Sequence, residues 1–495
     1  MSKQNTDVKA LKVAKELKNK NNWKHLTRPS GFGYYMLQTE DTGDVPVRLF
    51  LTQKLLNEAE DILYRQIVNA TRFPGVRMVV ITPDTHYGYG VPVGCVLITD
   101  ADTGAIAMGP VGYDIGCGMM SARSNVEAGR ATPEKRLAFN RAVMERVNMG
   151  AGGKSVKLGD VSKPEFNNLV RGGAEYYVEK YGAAFDRSSA ERHRIPVEDD
   201  WQIPWGGKGQ PERGLNQLGS LGGGNHFIEL QRAEETGTLF VQVHTGSRGF
   251  GHGLATNYFE MARAERPDAI TDIDLGYFTP DSPHYNDYLN AVAAGGNYAI
   301  LNRLVIFEQV AEAFRKVFGE DLELIYEISH NLVQREWNPE FGDVWVHRKG
   351  ATRALPAGHR ALAGTKWEEI GHPVLIPGSN KDWSYILRPL AGAERSGYSV
   401  NHGAGRRLSR GEAFRTLSQR LIDDEYATAG IMVNTNGRVP LDEAAPCYKS
   451  SEEVVTAVVE AGLAEIVYRL WPLASLKGTD ERKRKNRVKA KTRHY

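Results

Sequence analysis

MVVITPDTHYGYGVPVGCVLITD, residues 78–100, consists of two apolar runs, MVVITP (78–83) and VPVGCVLITD (91–100), around the polar, glycine-rich DTHYGYG (84–90). Short Val/Ile-rich runs bounded by such punctuation predict buried strands, and a loop at strand ends is a frequent seat of function. Working outward, LFVQVH (239–244) and LELIYEI (322–328) read as two more buried strands. Apolar spacing predicts a short basic helix over 10–17 and a longer helix over 51–70. Thr132-Pro133-Glu134 opens a helix through about residue 148, and Ser162-Lys163-Pro164 opens another. Further helices are expected over 286–318, 409–423 and 451–463. The expected fold is α/β (α+β). No fixed-period repeat or linker divides 29–478, so this span is expected to be a single large domain with central sheets.

The chain has 495 residues, 41% hydrophobic and 25% charged, a balance that excludes disorder throughout and a membrane bundle. Its 52 glycines exceed the roughly 7% average and gather beside His, Asp and Arg, where backbone can approach a ligand. Three scattered cysteines are too few for a disulfide framework, which points to a reducing compartment. The first residues lack a signal peptide's apolar core, and no membrane-length apolar run occurs, so a cytoplasmic location is expected. The net charge of +2 is uneven: residues 1–28 and residues 479–495 each carry eight Lys/Arg against two Asp/Glu, leaving 29–478 acidic. These basic N-terminal and C-terminal extensions suit a polyanion such as RNA, or equally two solvated tails.

In PVGYDIGCGMM (110–120), Asp114 and Cys117 stand three apart in a glycine-rich turn. Alone, such a pair is more often structural. GSLGGGNHFIEL (219–230) adds His226, VQVHTGSRGFGH (241–252) adds His244 and EISHN (327–331) adds His330, each at a strand end. Together, three imidazoles, a thiol and a carboxylate make a ligand set for one or two divalent ions. NHGAGRRLSR (401–410) places His402 before two glycines, Arg406, Arg410 and the helix-starting Ser409. That is an anion pocket with an imidazole at its mouth, suited to attack on phosphorus. IPGSNKDWSY (376–385) and HTGSRG (244–249) could wrap phosphates, although neither matches a Walker or Rossmann pattern. His86 reads as a partner that orients a ligating group, Cys95 as core and Cys447 as filler. Trp201 and Trp205 read as packing residues, and His25, His193, His284, His347, His359, His372 and His494 as structural or solvated.

The motifs PDTHYGYGVPVG, GPVGYDIGCG, GGGNHFIE, HTGSRGFGH, SHN, RKGATRA, VLIPGS, NHGAGRRLSR, DEAAPCYK and SLKG resemble, in order, those of the RtcB family of RNA-splicing ligases. They run from about residue 75 to Gly478, over four-fifths of the chain. The resemblance implies an RNA ligase that joins 3′-phosphate or 2′,3′-cyclic phosphate ends to 5′-hydroxyl ends, using GTP and two Mn²⁺. It would proceed through a histidine–GMP intermediate on His402 and an RNA(3′)pp(5′)G end. It further implies that Asp114, Cys117, His226, His244 and His330 bind the two metals, with the Cys117 thiolate between them. Asn225, the loop at Ser379 and the Gly403-Ala404-Gly405-Arg406 turn would hold phosphates. Glu229, Ser384, Tyr448 and Lys477 would surround guanine, and Arg248, Lys349, Arg406 and Arg410 would meet RNA. By affinity order alone a Cys/His site favours zinc; only the resemblance implies manganese.

The chain departs from the family pattern at NKDW (380–383), where Met-Gly and small residues are usual, at Val400 and Asn401, and in the tail beyond Gly478. That tail is expected to leave near the mouth of the site and touch RNA. A monomer is expected, and an activator protein is left open. Two rivals remain. A dinuclear metal-dependent cyclic phosphodiesterase needs the ligand cluster but neither His402 nor a guanine pocket. A non-catalytic RNA-binding protein needs only the basic ends.

Overall fold

The computed structural model describes residues 23–182 and 194–478; the expected helix over 10–17, His193 and the tail 479–495 lie outside these residues. One sheet runs β1 (Thr27–Pro29), β2 (Tyr35–Leu37), β3 (Val47–Leu49), β4 (Val76–His86), β5 (Val93–Asp100), β13 (Gly342–Lys349), β12 (Asn331–Asn338). The other runs β11 (Glu323–Ser329), β7 (Gly118–Glu127), β9 (Thr238–Thr245), β8 (Phe227–Ala233), β19 (Ala464–Lys477), β16 (Ser384–Pro389), β15 (Val374–Ile376), with β18 (Met432–Val433) beside β19. Short pairs join β6 (Ile106–Ala107) to β10 (Tyr277–Phe278) and β14 (Ala351–Arg353) to β17 (Ser399–Asn401). Apart from the parallel pairs β3–β4 and β18–β19, neighbouring strands are antiparallel, as in α+β architectures.

Both faces of β4 are buried. Met78 and Val80 pack with Val96 and Ile98 of β5 and with Val374 and Ile376 of the other sheet. Val79 and Ile81 pack with Leu97 and with helices α1 (Gln53–Glu58) and α2 (Ile62–Ala70). A strand covered on both sides needs no polar alternation, which is why 78–83 reads as an unbroken apolar run. Each such fully buried aliphatic side chain contributes about 1.5–3 kcal/mol.

The α-helices that follow are α3 (Pro133–Met144), α4 (Lys163–Tyr181), α5 (Arg248–Glu265), α6 (Tyr285–Phe318), α7 (Arg410–Thr416), α8 (Gln419–Thr428) and α9 (Ser451–Glu460). Thr132 and Ser162 cap α3 and α4 as their sequences predict, accepting from Lys135 N and Glu165 N. The 34-residue α6 is buried along most of its length. Its first half packs on α4 and α5 around Phe166, Phe250 and Tyr298. Its second half packs on β7, β9 and α3 around Val241, Phe307 and Phe139. Among the described residues no helix is long and apolar enough to cross a membrane.

Three expectations are corrected. The 51–70 helix is two helices, because Trp23 packs into the break and its indole donates to Glu60 O at 3.4 Å, while Glu60 Oε2 accepts the Tyr87 N–H. The 409–423 helix is likewise α7 and α8, split where Leu417 turns extended and joins the apolar cluster of Ile422, Tyr426 and Val439. Finally, β4 continues through Asp84 to His86, with a bulge between Ile81 and His86.

Candidate active site

The metal-ligand candidates meet because four neighbouring strands present the same end. Gly118 of β7 lies opposite Ser329 of β11 and Thr245 of β9, and Phe227 of β8 lies opposite His244. Asp114 and Cys117 therefore enter just before β7, His226 just before β8, and His330 just after β11. The 114–117 turn sits directly on α6: Gly116 has φ +74°, and a Cβ there would stand 2.9 Å from Gly296 Cα. Glycine is the residue that tolerates both demands.

Arg303 of α6 is fully buried and paired with Glu327. Its guanidinium donates to Gly116 O at 2.7 Å, Thr245 O at 2.9 Å and Ser329 Oγ at 2.7 Å. One side chain thus ties three of the ligand-bearing segments together.

Cys117 Sγ lies 3.3 Å from His244 Nε2 and 3.6 Å from His226 Nε2. His226 Nε2 lies 3.1 Å from Asp114 Oδ2, and His244 Nε2 3.3 Å from His330 Nε2. The ligand atoms form two triads, Asp114–Cys117–His226 and Cys117–His244–His330, that share the sulfur. His226 Nδ1 faces Leu221 O at 3.0 Å and His244 Nδ1 faces Asn225 O at 3.1 Å. Each Nδ1–H donates to a carbonyl, so the Nε2 lone pairs point into the cluster, as cation binding requires. Burial pushes the His244 and His330 imidazoles well below their usual range, keeping them neutral, and pushes the Cys117 thiol up. Burial also opposes ionisation of Asp114, but His226 outweighs it and holds the carboxyl below its usual range. Either triad could hold a divalent metal ion.

His402 follows β17, and its ring lies 4.7 Å from that of His330. Its Nδ1 is 2.6 Å from Oδ2 of Asp84, a fully buried carboxylate that also accepts the His402 and Gly403 N–H groups at 3.1 and 3.2 Å. Thr82 Oγ1 donates to the other oxygen at 2.6 Å. Burial would raise the Asp84 carboxyl, yet His402 and Thr82 hold it below the usual range, so it stays ionised. Nδ1 thus sits in ion-pair contact with Asp84, and His402 faces the pocket beside the ligand cluster.

A pocket of about 420 Å³ opens over these groups. All site residues named from the sequence line it except His226, Ser384 and Arg248. Ser384 stands one layer back, where its hydroxyl accepts from Gly378 N at 3.0 Å and Gln231 Nε2 at 3.2 Å. Gln231 in turn donates to Glu229 at 2.7 Å. Burial raises the Glu229 carboxyl to about 7. On the far wall Arg406 lies 5.1 Å over the Tyr448 ring and 3.3 Å from Glu443, and Lys477 lies 3.7 Å from the same carboxylate.

A sequence model described as "tRNA-splicing ligase RtcB" matches residues 66–478. The chain belongs to the RtcB family. It is 37% identical over 467 residues to the tRNA-splicing ligase RtcB of Pyrobaculum aerophilum, covering 88% of this chain and 95% of that protein. It is 38% identical over 442 residues to the RNA-splicing ligase RtcB of Mycobacterium tuberculosis, covering 83% and 100%. The Thermococcus kodakarensis tRNA-splicing ligase RtcB is 35% identical over 465 residues, covering 88% and 95%.

Within this RtcB chain the four expected RNA-contacting cations differ in freedom. Arg410 keeps half its side chain exposed beside Asp442 and Glu443. Arg406 donates to Leu408 O at 3.2 Å and Asp442 O at 2.6 Å. Lys349 is buried and donates to Tyr89 O at 2.7 Å and Val91 O at 3.1 Å; burial pushes its ammonium down to about 8. Arg248 donates to Gly150 O at 3.0 Å and Ser220 Oγ at 3.3 Å, bracing the glycine run before His226. Sequence reasoning missed Asp84 and Arg303. His86, read as the partner of a ligating group, is pushed down to about 4 by burial and contacts Asp84 O at 3.0 Å. A lone arginine in the apolar stretch LNRLVIF (301–307) was the available signal for Arg303.

Proposed function

We propose that this chain is a GTP-dependent RNA ligase joining a 3′-phosphate or 2′,3′-cyclic phosphate end to a 5′-hydroxyl end, with His402 as nucleophile. The observation that carries this reading is His402 itself, with Nδ1 in ion-pair contact with a buried carboxylate and its ring set against the ligand cluster. Asp84 keeps the ring in the tautomer that frees Nε2 to attack the α-phosphorus of GTP; pyrophosphate leaves and a phosphoramidate forms on His402. Asp84 also stabilises the imidazolium that develops. GMP then passes to the RNA 3′-phosphate, freeing His402, and the 5′-hydroxyl attacks that phosphate with GMP as leaving group. Cyclic ends are first opened by water.

Asp114, Cys117, His226, His244 and His330 would hold two divalent cations, proposed as Mn²⁺, whose chemistry is neutralisation of phosphate charge during transfer. Asn225, Ser379 and the Gly403–Arg406 turn hold the phosphates. Tyr448 stacks on guanine, and Glu229 accepts from its N–H groups, with Lys477 beside it and Ser384 holding the loop behind. Arg410, Arg406, Lys349 and Arg248 draw RNA phosphate to the pocket.

GTP labelled at the α-phosphate tests this reading. Acid-labile label on the wild-type protein, absent from His402→Ala, is expected. No label on the wild type would leave the cyclic phosphodiesterase reading in its place.

A further inference from the structure

Asn331 opens β12 directly after the ligand candidate His330 and lines the pocket beside it. Its carbonyl and both ends of its amide reach backbone outside that strand. Asn331 O accepts the N–H of Gly116 at 2.7 Å. Nδ2 donates to Asp114 O at 3.1 Å, and Oδ1 accepts the N–H of Gly350 at 2.8 Å. A peptide oxygen only accepts and a peptide N–H only donates, so these two partners fix which way the amide faces. One side chain therefore spans from the turn that carries Asp114 and Cys117 to the corner between β13 and β14.

That corner is the wall behind His402. Gly350 has φ +59°, and a Cβ there would stand 2.8 Å from His402 Cε1, 2.9 Å from its Nδ1 and 2.5 Å from Val93 Cγ1. The imidazole thus rests on bare backbone, and any shift of Gly350 is passed straight to the ring. Main-chain bonds fix the strands around it independently of the amide: His330 N donates to Cys117 O at 2.7 Å, and Ala351 N to His330 O at 3.2 Å. Removing the Asn331 side chain leaves those bonds in place and frees the Gly350 N–H, so the change falls on the nucleophile's support and spares the ligand-bearing strand ends.

We infer that Asn331 is a positioning residue: by tying Gly350 to the 114–117 turn it sets the separation between the ring of His402 and the cluster that would hold a nucleotide's phosphates. The inference rests on the reading of His402 as nucleophile given above. A misplacement of about 1 Å is enough to slow a reaction about 10²-fold without weakening binding.

The test compares full-length wild type, Asn331→Ala, Asn331→Leu and Gly350→Ala, each checked by thermal melting. Titration with Co²⁺ alone, followed by the thiolate-to-cobalt absorption, reads the cluster without any reaction. Single-turnover labelling by GTP carrying the label at the α-phosphate, run with Mn²⁺ over a range of GTP concentrations, gives a limiting rate and a half-saturating concentration. The Asn331 variants are expected to keep the Co²⁺ band, its midpoint and the half-saturating GTP concentration, while the limiting rate falls about 10- to 100-fold. Gly350→Ala, which presses on the ring with Asn331 intact, is expected to give the same pattern. A wild-type limiting rate in folded Asn331 variants overturns the inference. So does a lost or weakened Co²⁺ band, which would make the amide a brace of the cluster, and so does a change confined to the half-saturating concentration, which would make it a substrate contact. A wild-type rate in folded Gly350→Ala overturns it as well, so the inference stays exposed even if neither Asn331 variant folds. A wild-type protein that takes no label overturns the reading beneath, whereas labelled wild type with unresponsive variants overturns this inference alone.

Discussion

Asp84 and His402 are 318 positions apart, and nothing in either local sequence announces the pairing. By contrast, Asp114, Cys117, His226, His244 and His330 were readable because each sits in a glycine-rich or polar turn at a strand end, a setting that exposes its chemistry locally. If Asp84 orients His402 by charge as well as by shape, Asp84→Asn keeps GTP binding but lowers single-turnover labelling of His402 by about 10²-fold or more. Unaltered labelling in a folded Asp84→Asn protein would remove the carboxylate from the reaction. Glu229 sets a second expectation. Burial raises its carboxyl to about 7, so the pocket without nucleotide holds the proton below that pH. The form proposed to accept from guanine is the ionised one, which fills as pH rises through 7. GTP affinity is therefore expected to fall about tenfold per unit below pH 7 and to level off above it. Glu229→Gln binds more weakly and loses this slope; a slope that persists in the variant assigns the titration elsewhere.

At the scale of elements, the caps of α3 and α4, the fully buried strands and the long α6 were legible because each depends on neighbours in sequence. The breaks at Ala59–Asp61 and Leu417–Ser418 were not, since Trp23 and the apolar cluster around Tyr426 override a continuous helical pattern from outside it. The Arg303–Glu327 pair was equally hidden. Its arginine reads as an interruption of α6 until the strand ends arrive to receive its hydrogen bonds. Arg303→Met removes the cation paired with the buried Glu327 carboxylate and is expected to cost about 3–5 kcal/mol of stability, measured by denaturant unfolding. Arg303→Met combined with Glu327→Leu recovers most of that stability. Metal affinity still stays about 10- to 100-fold weaker, because the three segments no longer share a donor. Metal affinity restored along with stability would make the pair merely structural.

At the scale of the molecule, two stacked sheets place the ligand cluster, His402 and the Tyr448–Glu229 end of the pocket within one cavity drawn from residues 86 to 477. A cation bound only by the assembled site stabilises the whole fold. Mn²⁺ at about a hundred times its Kd is expected to add about 2.7 kcal/mol, read as a rise in Tm that Cys117→Ala abolishes. An equal rise in that variant would place the binding outside the shared sulfur. The basic residues 479–495 begin beside Gly478, which packs so closely on Gly222 O and Gly150 N that a Cβ there would stand 2.2 Å from the former. Deleting them is expected to lower RNA affinity and flatten its salt dependence, by about 0.7 in log–log slope for each phosphate that the tail neutralises. Unchanged affinity and slope would reduce the tail to a solvated appendage.

The 14-residue β19 occupies the middle of its sheet, between β8 and β16, and delivers Lys477 to the pocket from its last position. Residues 464–477 leave the ribosome late, long after the strands on either side of them. A nascent chain can complete the sheet that carries β1 to β5 once β13 has emerged, yet its second sheet stays split and one wall of its pocket open until β19 follows. Ligation competence should therefore wait for that strand, and the half-made enzyme stays silent toward the RNA that surrounds it on the translating ribosome.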